Sequence, residues 1–248
     1  MRIDLNADLG EGCPDDAALL AVVTSANVAC GFHAGDPELM ARTVRAAANA
    51  GVAVGAHPSF PDREGFGRRA MERSPDAVEA DVTYQVGALL AICRAHGVRL
   101  VHVKPHGALY NQAAVDPELA AAIARAVHAV DPALVLVGLA SSRAMRDAAA
   151  NLGLRYAAEA FADRRYETDG TLLSRNETGA LVSSVEAATE QAVGIATRGE
   201  VVTVDGSLVR VRADTLCLHG DSPGALRLAR AVRSALAAKG VTVAALPA

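Results

Sequence analysis

Aromatic side chains make up only 3% of this 248-residue chain, and tryptophan is absent. A core built without them rests on Ala, Val and Leu, which suits helices packed tightly over a sheet. No uninterrupted apolar run reaches the ~18 residues of a membrane span. The opening stretch MRIDLNADLGEG lacks the apolar segment of a secretion signal. Net charge is −4, and no basic tract is present to follow a nucleic-acid backbone. The cysteines, Cys13, Cys30, Cys93 and Cys217, are scattered, with neither paired metal-ligand spacing nor a disulfide framework. The nucleotide loop G-x-x-x-x-G-K-[ST] is missing, as is the serine-hydrolase pattern G-x-S-x-G. Gly10-Glu11-Gly12 is a near miss for a dinucleotide loop, because Asp15 stands where its third glycine belongs. The expectation is a soluble, reduced, cytoplasmic protein that binds neither nucleic acid nor membrane.

What is present is a repeated alternation of strand and helix. Short runs rich in Val, Leu, Ile and Ala predict strands at 3–8, 26–31, 52–57, 100–104, 134–139, 154–159 and 214–219, with a further candidate at 241–245. Helical patterns fill the intervals. One opens on Asp36-Pro37 and stops at Gly51, another runs from Ser74 to Gly97, and a third begins at DSPGALRLAR. Such alternation implies a mostly parallel sheet. The number of units points to a closed or nearly closed β/α barrel of seven or eight strands, forming one domain over residues 1–248. Residues 201–211, VVTVDGSLVRV, read instead as a small β-hairpin insertion turning at Asp205-Gly206.

Side chains alternate along a strand, and the alternation here is chemically lopsided. In VHVKPHGALYN, residues 101–111, His102, Lys104 and His106 share one face, and Val101 and Val103 take the other. The first strand sets Asp4, Asn6 and Asp8 against Ile3, Leu5 and Ala7, and His57 and Glu159 continue the pattern elsewhere. Helices must cover the apolar faces, so the polar faces should point into the barrel. Ordinary β/α barrels fill that space with Val, Ile and Leu. A polar interior needs a dense hydrogen-bond network or a ligand.

The strand ends supply the candidate site. His33, His57, His106 and His219 fall there with Asp8, Glu159 and Asp221, while His102 reads as structural. Lysine can hold an anionic group or stabilise charge developing on oxygen, and histidine can move protons near neutral pH. The candidates for chemistry are Asp8, His57, Lys104, His106 and Glu159. Those for substrate binding are Asn6, His33, Asp36, Arg68, Asp163, Arg164, His219 and Asp221. Two polar loops extend the pocket. Residues 59–75 resemble a lid carrying an arginine clamp, and residues 161–179 are too long for a simple connection. Because Asp8 and His106 lie at strand ends, alanine at either is expected to remove activity and spare the fold.

The blocks DLNADLGEG, ANVACGFHAGDP, GAHPSFPDREGFGRR, KPHGALYN, EAFADRRY and CLHGD, taken in this order, resemble the LamB/YcsF family, the A component of ATP-hydrolysing 5-oxoprolinase. The resemblance implies a distorted β/α barrel of the polysaccharide-deacetylase-like kind. It also implies ATP-dependent opening of 5-oxoproline to L-glutamate with partner subunits B and C, ATP being handled at least in part by a partner. Two alternatives stand beside it. One is a metal-dependent amidohydrolase or deacetylase using ligands from Asp8, His33, His57 and His106. The other is a binding module for a small acid or carbohydrate.

Overall fold

The computed structural model describes residues 1–175, 177–182, 184–218 and 224–247. In chain order the elements are β1 (Arg2–Leu9), α1 (Asp16–Leu19), β2 (Ser25–Ala29), α2 (Pro37–Asn49), β3 (Ala53–His57), α3 (Pro75–Ala95), β4 (Leu100–Val103), α4 (Gly107–Ala113) and α5 (Pro117–Val130). There follow β5 (Val135–Leu139), α6 (Arg143–Asn151), β6 (Arg155–Phe161), α7 (Val185–Arg198), β7 (Glu200–Val202), β8 (Leu208–Arg210), β9 (Thr215–Leu218), α8 (Ala225–Ala238) and β10 (Thr242–Val243). Strands β1 to β6 pair in sequence order, and β9 lies between β6 and β1, so seven parallel strands close a barrel. The candidate eighth strand does not enter the ring. Residues 4–7 of β1 pair with β9, and β10 takes only the free start of β1 at Arg2 and Ile3. Strands β7 and β8 form the antiparallel hairpin outside the barrel.

Helix boundaries follow their caps. The Asp36 carboxylate accepts from Leu39 N–H at 2.8 Å, with Pro37 in the first turn of α2. Ser74-Pro75 opens α3 in the same way, and Asp116-Pro117 opens α5. The start expected for the last helix, at Asp221, falls outside the described residues. The outer faces of the strands meet the helices through Leu5, Val28, Val54, Val103 and Leu216, all buried in one core. Among the described residues no helix is long and apolar enough to cross a membrane.

The barrel interior is polar over most of its circumference, as the alternation requires. The Asp4 carboxylate accepts from Thr24, Ser25 and Thr215 hydroxyls at 2.7, 2.7 and 2.6 Å. Asn27 Nδ2 donates to Asn6 Oδ1 at 2.7 Å and to Asp8 Oδ1 at 2.8 Å, while its own Oδ1 accepts from His102 Nε2 at 2.7 Å. Strands β5 and β6 break the pattern. Val135, Val137 and Ala157 form a separate apolar cluster with Leu246 from the C-terminal segment. Gly55 makes room for His102: a Cβ there would lie 2.0 Å from the His102 Nε2 atom.

His102 is a structural histidine with a measurable signature. Burial, then the charge of Lys104, holds its pKa down to about 3. The unfolded chain takes up the proton at an ordinary pKa of about 6.5, so protonation favours unfolding. The stability it contributes is present above pH ~6.5 and is lost as pH falls, by about 1.4 kcal/mol per pH unit down to the folded value. His102→Gln should therefore show a stability–pH slope shallower by one proton between pH 6 and 4. Urea titrations at several pH values measure it, and parallel slopes for the two proteins would refute the assignment.

Candidate active site

Four strand ends and the loops behind them build the site. Lys104 follows β4 and is 3% exposed. Its ammonium lies 3.0 Å from Asp8 Oδ1 and 2.9 Å from Glu159 Oε1, so it bridges the ends of β1 and β6. It also approaches Cys217 Sγ at 3.0 Å and Asn6 Oδ1 at 3.3 Å. Burial alone would lower its pKa, but the Asp8 and Glu159 carboxylates outweigh that and hold it well above the ordinary lysine value. Lys104 is thus a fixed cation, suited to stabilising negative charge and unsuited to acting as a base.

The histidines are oriented by backbone carbonyls. His57 Nδ1 lies 2.7 Å from the Lys104 carbonyl, and His106 Nε2 lies 2.8 Å from the Phe66 carbonyl. A carbonyl oxygen only accepts, so each of these nitrogens carries a proton. The remaining nitrogens, His57 Nε2 and His106 Nδ1, face each other at 2.9 Å. In neutral rings with those protons both are lone pairs, a contact that a proton on one of them or a cation beside both makes favourable. His33 stacks on His106 at a centroid distance of 3.8 Å and places Nε2 3.1 Å from Glu11 Oε1. Glu11 Oε1 is also 3.7 Å from His106 Nδ1. One donor atom from each of Glu11, His33, His57 and His106 lies within 4.8 Å of all the others, which makes this quartet the metal-ligand candidate among the described residues. Burial, followed by the charges of neighbouring histidines, pushes His33 and His106 well below the ordinary histidine pKa.

Lys104, His57 and His106 border a cavity of about 440 Å³, within the usual range for a small-molecule site. Asp8, His57, Lys104 and His106 line its inner part; Tyr110, Leu139 and Phe161 give it apolar walls. Arg68, Arg164 and Arg175 also line it. Arg164 is buried, donates to the Leu173 carbonyl at 2.5 Å, and has an Nε without a hydrogen-bond partner among the described residues. Burial, then the charge of Arg175, lowers its pKa to about 10.

The structure distributes the sequence candidates unevenly. Asp8, His57, Lys104, His106, Arg68 and Arg164 line the cavity. Asn6 and Glu159 do not, and lie behind it: Asn6 Nδ2 donates to Glu159 Oε1 at 3.0 Å, and both touch Lys104. His33 backs onto His106, and Asp163 is buried beside Arg164 but is not in the cavity wall. Asp36, expected in the substrate pocket, is instead exposed at the head of α2, where helix capping accounts for it. His219 and Asp221 lie outside the described residues.

The segment 59–75, read from sequence as a lid, is fastened over the site. Asp62 accepts from Gly65 N–H and from the Arg69 side chain, Arg63 donates to the Gly31 and Gly35 carbonyls at 3.0 Å, and the Gly67 carbonyl accepts from Ala108 N–H. That contact needs glycine at 107, where a Cβ would meet Gly67 O at 2.4 Å, and a Cβ on Gly67 would crowd His106 Cδ2 at 2.8 Å. Segment 161–179 contributes Asp169, Thr171, Leu172, Ser174 and Arg175 to the cavity. Sequence reading misses Glu11 and Tyr110. Glu11 sits three residues beyond Asp8 in the loop after β1, the end of the barrel where chemistry concentrates. Tyr110 follows His106 by four residues, which places both on one side of α4.

The LamB/YcsF family profile matches residues 3–248. The chain is similar to a lactam utilization protein from Thermus thermophilus, known from a crystal structure. The two share 48% identity over 99% of this chain and 100% of that one, with a TM-score of 0.92. A likeness of fold alone extends to the T48 deacetylase solved with substrate, at 14% identity over 98% of this chain and 86% of that one, with a TM-score of 0.51. Sequence blocks, a closed seven-stranded barrel and this relative agree, and the chain belongs to the LamB/YcsF family.

Proposed function

We propose that this chain opens the lactam ring of 5-oxoproline to give L-glutamate, coupled to ATP hydrolysis and acting with two partner subunits, B and C. The observation that carries the reading is the cavity, which combines a buried ammonium, an adjacent carboxylate and guanidinium-bearing walls. The similarity to a lactam utilization protein supports the substrate class. A five-membered lactam is a small ring with one carboxylate. Its methylene groups match Leu139 and Phe161, and its carboxylate matches Arg164 or Arg68.

The amide is stable, so its opening needs activation. Phosphoryl transfer from ATP to the amide oxygen makes the ring carbon a better electrophile. Water then adds to that carbon, the carbon–nitrogen bond breaks, the nitrogen takes a proton, and hydrolysis of the resulting acyl phosphate releases inorganic phosphate and L-glutamate. Lys104 faces the site where negative charge develops on oxygen. Asp8, the buried carboxylate in the cavity wall, takes the proton from water, and Glu159 acts from behind by holding Lys104. ATP handling is proposed to fall in part to a partner, a reading supported by the lack of a common phosphate loop in this sequence.

Glutamate formation and ATP hydrolysis are to be measured with the chain alone, with the partners alone and with the mixture. Activity confined to the mixture is expected, and full activity in the isolated chain would overturn the division of labour. A second reading, metal-assisted hydrolysis of a small amide or carbohydrate, draws on the Glu11–His33–His57–His106 quartet. ATP-independent turnover would favour it.

A further inference from the structure

We propose that Glu11, His33, His57 and His106 bind one divalent first-row transition-metal ion. The four residues come from separate places in the chain: the loop after β1, the loop after β2, the end of β3 and the turn into α4. The fold nevertheless brings one donor atom from each within 4.8 Å of the others. Three imidazole nitrogens and one carboxylate oxygen suit zinc, iron, cobalt or nickel better than magnesium or calcium, which prefer oxygen.

The tautomers suit metal ligation. Ligand histidines usually donate their far N–H to a carbonyl or carboxylate, which fixes the near nitrogen as a lone pair. His57 does this through the Lys104 carbonyl at 2.7 Å, and His106 through the Phe66 carbonyl at 2.8 Å. Their near nitrogens are then two lone pairs at 2.9 Å, an arrangement that only a cation between or beside them makes favourable. The side chain of Glu11 is 3% exposed and contributes the anionic partner, 3.1 Å from His33 and 3.7 Å from His106. A proton shared by His57 and His106 is the competing occupant, and the convergence of the His33 nitrogen and the Glu11 carboxylate on the same point favours the ion. His57 and His106 also line the cavity, so the ion borders it. The inference does not rest on the lactam reading, because its readout is metal content rather than turnover.

The test uses the full chain without a polyhistidine tag, stripped with a chelator and titrated with Zn²⁺ and Co²⁺ by calorimetry. One equivalent of each should bind, and the Co²⁺ form should show the visible absorption of a low-coordinate site. Glu11→Gln, and separately His57→Asn with His106→Asn, should weaken binding by more than about 100-fold. His128→Ala, at an exposed helix position, should bind as the parent does. Circular dichroism checks that each variant is folded, and the conservative Glu11→Gln change keeps the test open if the double variant is not. Absence of binding at micromolar metal would overturn the proposal. So would binding that survives in folded Glu11→Gln, or a single proton shared by His57 and His106 in ¹⁵N spectra of the metal-titrated chain.

Discussion

Lys104→Met is expected to lower the unfolding free energy by about 3–5 kcal/mol, the usual result of removing one partner from a buried ion pair. Methionine keeps much of the apolar stem, so the loss isolates the charge. In the native chain the Lys104 ammonium sits 3.0 Å from Asp8 and 2.9 Å from Glu159, and both carboxylates are buried. Without the ammonium, two buried acidic groups lose the cation they share, and at least one must take a proton or draw in water. Adding Glu159→Gln to Lys104→Met should recover part of the loss, because the second change removes one stranded charge while an amide oxygen still accepts from Asn6. Urea unfolding followed by circular dichroism gives both numbers. A single variant within about 1 kcal/mol of the parent would mean that the pair is not the buried, paired charge described here.

Asp8→Asn is expected to cut turnover by about 10²-fold or more, in whichever assembly supports it, with a smaller effect on folding. Asparagine preserves the shape of Asp8 and an oxygen that accepts from Asn27 and Lys104, contacts now at 2.8 and 3.0 Å. It removes the negative charge and the capacity to take a proton from water. Alanine at this position is a poorer probe than the strand-end location suggests. The Asp8 side chain holds Asn27, Lys104 and, at 3.4 Å, His57, so truncation would leave a buried ammonium short of a partner. His106→Ala likewise opens more than one contact, since its ring touches His33, His57 and the Phe66 carbonyl. Near-normal turnover in folded Asp8→Asn would remove Asp8 from the proton-transfer role.

The barrel and its polar lining are legible in the sequence, because the information is local. Alternation along Asp4-Leu5-Asn6-Ala7-Asp8 places the acids on one face whatever the strand pairs with, and helices require the other face. The same periodicity places His57, Lys104 and His106 together. It carries no distances across the barrel. That β10 is left outside a seven-membered ring depends on the lengths of β1 and β9, which no single segment reveals. Asp36 carries two signals, a helix cap and a place beside His33, and only packing shows that the cap prevails. Glu11 reads along the chain as part of a failed glycine loop, and the fold sets it against His33 and His106. The tautomer of His106 depends on a carbonyl forty positions away, at Phe66. Which way a side chain points is a property of the strand that carries it. What that side chain meets depends on closure, register and loop packing, and so on the whole chain.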